Sequence, residues 1–111
     1  MSDRRFDPHD AVDFIIKNAP KFAEAKARRV YLEEFRKTKK ALLMKEHTSL
    51  PIGAQEREAY AHPEYQELLQ GLRVAIEVEE TLRWQLTAAT MRGELYRTQS
   101  ANERAEGRAT Q

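Results

Sequence analysis

A chain of 111 residues with 19 Lys or Arg, 18 Asp or Glu and no cysteine has a formal net charge of only +1. It excludes a disulfide framework, a thiolate nucleophile and a cysteine-based zinc site, and its small size means that long helices in it often complete their packing by association. Helix formers dominate and Gly and Pro number four each, so the expectation is an all-α protein without strands.

In chain order, "FDPHDAVDFIIKNAP" opens with Asp7 as an N-cap and Pro8 at the first helical position, and it stops before Pro20. This predicts a short helix over 8–18 whose apolar residues Val12, Phe14, Ile15 and Ile16 dock on something larger. From Pro20 onward no Gly or Pro occurs until Pro51, which predicts a long basic helix over 20–46. Its apolar side is expected to comprise Ala23, Ala27, Val30, Tyr31, Phe35, Thr38, Ala41 and Leu42.

"HTSLPIGA" then supplies turn residues, and 47–62 reads as a connection with at most one helical turn at "QEREAY". Pro63 opens a second long helix, over 63–104. Its positions Leu68, Leu72, Ala75, Glu79, Leu82, Leu86, Ala89, Gly93 and Tyr96 step alternately by four and three, a heptad seam with one polar interruption at Glu79. A second line, Trp84, Ala88, Met91 and Leu95, lies on another face and is the expected oligomer interface. Residues 105–111, "AEGRATQ", have no apolar pattern and are expected to form a disordered tail. The resulting architecture is a long antiparallel helical hairpin with a short N-terminal helix, one domain in all, self-associating through the last helix as a homo-oligomer.

The first ten residues contain no apolar signal core, and the longest apolar run, Ala41 to Met44, is four residues, so neither export nor a membrane span is expected. The expected location is cytoplasmic.

Charge is sorted by segment. Residues 21–45 hold nine Lys or Arg against three Glu, a net +6, whereas 54–82 hold two Arg against seven Glu, a net −5, and the chain from 83 onward is +2. Antiparallel pairing brings Arg36 to Lys45 beside Glu64, Glu67 and Glu77, so part of the sorting serves helix pairing. Lys26, Arg29, Arg36, Lys37 and Lys40 share one face opposite the expected apolar side, and the same alignment sets Lys26, Arg28 and Arg29 near Arg83, which gathers like charges. These seven cations are the candidate nucleic-acid-binding residues, suited to a phosphate backbone.

Other chemistry has little to stand on. His9, His47 and His62 lie in separate segments without metal-ligand spacing, and neither a Ser-His-Asp set nor a Gly-rich phosphate loop is visible. No metal, cofactor or catalysis is expected. Tyr60, Tyr65 and Tyr96 offer rings for base stacking, whereas Trp84, on the second apolar line, reads as core or interface.

The basic helix "AKARRVYLEEFRKTKKALLMK", the polar break, and a last helix with an aromatic in "LRWQL" followed by Ala, Gly and Arg-rich turns together resemble phage recombination mediators of the UvsY type over residues 21–104. The resemblance implies a helical protein that assembles into rings, binds single-stranded DNA and helps load a recombinase in competition with single-strand binding protein. It implies DNA contacts at Lys26, Arg29, Arg36, Lys37 and Lys40, and residence in the host cytoplasm. The competing expectation is a helical adaptor or assembly protein whose charge blocks serve only helix pairing and partner docking.

Overall fold

In the computed structural model, residues 7–109 are described. Among them the chain is all-α: α1 spans Pro8–Met44, a 3-10 turn Lys45–His47 follows, α2 spans Ile52–Ala61 and α3 spans Pro63–Ala109, with no strand. Two compact units are present. Among the described residues, one is Ala23–Glu80, and the other joins residues 7–22 with residues 81–109.

α1 starts as its first residues dictate. The Asp7 carboxylate accepts a hydrogen bond from the His9 backbone N–H at 2.9 Å, which satisfies one of the orphan donors of the first turn, and Pro8 occupies the position where a missing N–H costs nothing. The expected break at Pro20 does not occur: the short helix over 8–18 and the basic helix over 20–46 are one continuous α1. Proline removes one i→i−4 bond and crowds the carbonyl of Ile16. Both Pro20 and Ile16 lie on the exposed side of the helix, where solvent can supply the donor, and the covered residues Asn18 and Phe22 hold the helix on either side of the defect.

The connection also contains more helix than expected. α2 is a full ten-residue helix whose Ala59 is completely buried against Leu43 and Tyr65, with Met44 and Leu69 packed around them. α2 ends at a proline corner. His62 takes an extended backbone, φ −65° and ψ 136°, because a residue before proline is pushed out of the α region, and Pro63 then begins α3. The His62 ring caps the new helix, its Nδ1 accepting from the Glu64 N–H at 3.1 Å, while Gln66 donates its side-chain N–H to the Tyr60 carbonyl at 2.7 Å. At the far end α3 stays helical to Ala109, where a disordered tail over 105–111 was expected, its last two residues lying outside the described ones; residues 101–109 are exposed, and their Ala, Glu and Arg residues are strong helix formers that can prolong a helix without packing.

The α3 seam is covered as its heptads predict: Leu72, Ala75, Glu79 and Ala89 are buried and Leu68, Leu82, Leu86 and Gly93 partly so, while Tyr96 remains exposed. The apolar side expected for the basic helix is a different matter. Ala23, Ala27, Val30, Tyr31, Thr38, Ala41 and Leu42 are all exposed, and only Phe35, stacked on Tyr31 at 5.8 Å, is partly covered. The covered positions of α1 include Ala11, Ile15, Asn18, Phe22, Ala25, Arg29, Leu32, Lys39 and Leu43, which keep a strict four-three heptad phase if the exposed Arg36 is counted in its place. Polar residues occupy four of those positions, and that disguises the seam.

Within the Ala23–Glu80 unit, α1 and α3 run antiparallel as a helical hairpin with α2 at the closed end, shown by the contacts of Arg29 with Glu79 and Lys39 with Glu64. In the other unit the early turns of α1 and the later turns of α3 flank a groove of about 960 Å³ that includes Ala11, Phe14, Ala89 and Tyr96, and the Arg83 guanidinium lies 5.2 Å from the centre of the Phe22 ring.

Candidate nucleic-acid interface

The cations of α1 divide into those used for helix pairing and those left facing solvent. Arg29 belongs to the first group. Its Nε donates to both carboxylate oxygens of Glu79, at 2.6 and 3.0 Å, and one terminal nitrogen donates to both oxygens of Glu33, at 3.0 and 3.1 Å. Glu79 is only 2% exposed, so the charge that interrupts the α3 seam is answered by the charge that interrupts the α1 seam. Arg29 is thereby withdrawn from the predicted DNA stripe, because using it on a phosphate would strand a buried carboxylate.

Lys39 and Lys40 are also engaged. Lys39 lies 2.7 Å from Glu64 and, through that hydrogen bond and its charge, holds the Glu64 carboxyl below its usual range. Lys40 reaches Glu56 of α2 at 3.5 Å and sits 4.9 Å from the centre of the Tyr60 ring. Hydrogen bonding to Tyr60, followed by attraction to Glu56, raises the Lys40 ammonium above its ordinary value despite partial desolvation.

Lys26, Arg28 and Arg36 are exposed with no ion-pair partner among the described residues, and Lys37 makes only a 3.5 Å contact with Glu34 in which both side chains are largely exposed. Arg83 lies in the other unit, where its contact with Phe22 covers part of the ring. At the closed end of the hairpin, Arg36, Lys37 and Lys40 meet Ala41, Met44, Tyr60 and Tyr65 around an open groove of about 590 Å³. Tyr65 is buried and presents its ring to Tyr60 at 5.3 Å, nearly perpendicular, whereas Tyr60 remains 43% exposed. Sequence spacing could not bring Tyr60 to Lys40, since their approach depends on where α2 folds back; the signal that was available was a tyrosine beside His62 and Pro63, a corner that returns the chain.

The predicted interface line behaves differently. Trp84, Met91 and Leu95 are 66%, 63% and 60% exposed and Ala88 is exposed, although Ala88 and Leu95 border the groove of that unit. Among the described residues no group of three or more His, Asp or Glu could hold a metal ion, and no helix is long and apolar enough to cross a membrane. Comparison with protein families, characterised proteins and solved structures finds no match.

Proposed function

We propose that this protein binds single-stranded DNA without sequence preference and without catalysis, as a mediator in phage recombination or repair that presents the strand to a recombinase in competition with single-strand binding protein. The observation that carries this reading is the set of α1 cations left over after pairing: Lys26, Arg28, Arg36 and Lys37 remain exposed on one helix, with tyrosines beside the last two. From Lys26 to Lys37 the helix rises about 16 Å, enough to reach successive phosphates. The layout resemblance to UvsY-type mediators supports the same reading, as does an exposed apolar line suited to self-association, and it sets the protein in the host cytoplasm.

The test is a double substitution, Arg28→Glu with Arg36→Glu, that spares the Arg29–Glu79 pair. Binding to labelled oligo-dT should weaken uniformly across sequences, and the log–log salt slope should fall by about 0.7 for each phosphate no longer bound, with helicity unchanged. A folded variant with unchanged affinity and slope would favour a second reading. That reading is a helical adaptor or assembly protein, favoured by the use of Arg29, Lys39 and Lys40 in helix pairing and by the exposure of Trp84, Met91 and Leu95.

A further inference from the structure

The groove at the closed end of the hairpin combines three features that a phosphate-binding stripe alone does not need. Arg36 brings a guanidinium with no ion-pair partner among the described residues, and Lys37 brings an ammonium held only by a loose surface contact. Ala41 and Met44 line the groove with apolar surface. Tyr60 contributes a ring that stays half exposed although Tyr65 and the Lys40 ammonium fix its position. Glu56 neutralises Lys40 locally, so the positive charge available to a ligand is that of Arg36 and Lys37.

Resting on the proposed single-strand binding, we infer that this groove is a nucleotide subsite: one base stacks against Tyr60 over the apolar lining, and its phosphate is held by Arg36 and Lys37. A planar ring beside two cations fits a nucleotide better than an acidic peptide, whose carboxylates have no use for an aromatic face. It also selects single strands. In a duplex each base face is already covered by its neighbours, whereas an unpaired base can leave the stack and rest on an aromatic side chain. The Tyr60 ring is held in place, since Tyr65 packs nearly perpendicular to it at 5.3 Å and Gln66 ties the Tyr60 carbonyl to the start of α3.

The experiment compares labelled oligo-dT with an abasic strand of equal length and charge on the full chain, by fluorescence polarisation. The expected result is binding of oligo-dT about five-fold or more tighter than of the abasic strand. Tyr60→Leu should abolish that preference, and Tyr60→Phe should keep it. On the unaltered protein, photocrosslinking of an iodouridine-substituted strand should label Tyr60. Equal binding of both strands overturns the subsite and leaves the phosphate-binding function standing, whereas failure to bind either strand overturns both. Retention of the preference in Tyr60→Leu, crosslinks only at Trp84 or Tyr96, or displacement of oligo-dT by poly-glutamate as effectively as by oligo-dT itself also overturns it.

Discussion

Arg29, Glu33 and Glu79 show how a single pairing decides what a cation is for. A carboxylate that is 2% exposed gives up nearly all its hydration, and only a close, correctly oriented cation makes that tolerable. Arg29→Leu should therefore be the most damaging change at this site, because it strands Glu79. Glu79→Leu should be milder, since Arg29 keeps Glu33 and partial solvent contact. The double variant should melt above Arg29→Leu alone, as two apolar side chains can fill the seam; circular-dichroism melts check the order, and simple additivity of the two effects would mean that the pair is uncoupled. In the sequence Glu79 was visible as a flaw in a heptad seam and Arg29 as one of several basic residues, but nothing stated that they face each other. Their meeting depends on helix register, which is fixed only once the hairpin closes. Lys39 and Glu64 carry the second residue-scale prediction. The folded Glu64 carboxyl is held below its ordinary value of 4.5, so it contributes stability that is present above about that pH and lost as pH falls through the lowered folded value. Melting temperatures of the protein and of Lys39→Gln should differ near neutral pH and converge in acid. A difference that persists unchanged in acid would remove the ion pair as its cause.

At the scale of elements, legibility followed the strength of the apolar signal. The α3 seam was readable because its positions are Leu, Ala and Gly with one exception among the covered turns, and the structure covers those turns. The α1 seam was not, because Asn18, Arg29, Arg36 and Lys39 fall in its phase while a richer set of Ala, Val, Tyr and Leu residues lies on the solvent side. Binary patterning chooses the more apolar face, whereas the covered face is the other one, where Arg29 and Lys39 meet Glu79 and Glu64 of α3. Pro20 misled in the same way. Local propensity ends a helix before proline, yet packing of Asn18 and Phe22 carries α1 through it. Asn18 also donates its side-chain N–H to the Phe14 carbonyl at 2.9 Å, satisfying a buried amide within its own helix. Because α1 is continuous, Pro20→Ala restores an i→i−4 bond at an exposed position and should raise stability by about 1–3 kcal/mol, read from chemical denaturation. A destabilised variant would show that proline is needed there, as it would be at the start of a separate helix.

At the scale of the whole molecule, all-α composition and the absence of a long apolar span were open to reading from residue counts alone, whereas function depends on which surface remains once the helices have paired. Pairing leaves Trp84, Met91 and Leu95 in one exposed line along α3, and three large apolar side chains spaced on one face are more than a scattered surface residue or two. Contact with a second copy would remove them from water and would also explain why a chain of 111 residues tolerates long helices with little core. Sedimentation of the protein should therefore show a concentration-dependent oligomer, and Met91→Glu with Leu95→Glu should yield smaller species that remain helical. If DNA is bound by several copies at once, those species should lose affinity for long oligo-dT far more than for a strand short enough to touch one copy, because linked weak sites act through effective concentration. Equal weakening on long and short strands would mean that the substitutions damage the binding site itself. A protein that sediments as a monomer at every concentration would leave the exposed line for a different partner and remove the assembly on which a ring-forming mediator depends.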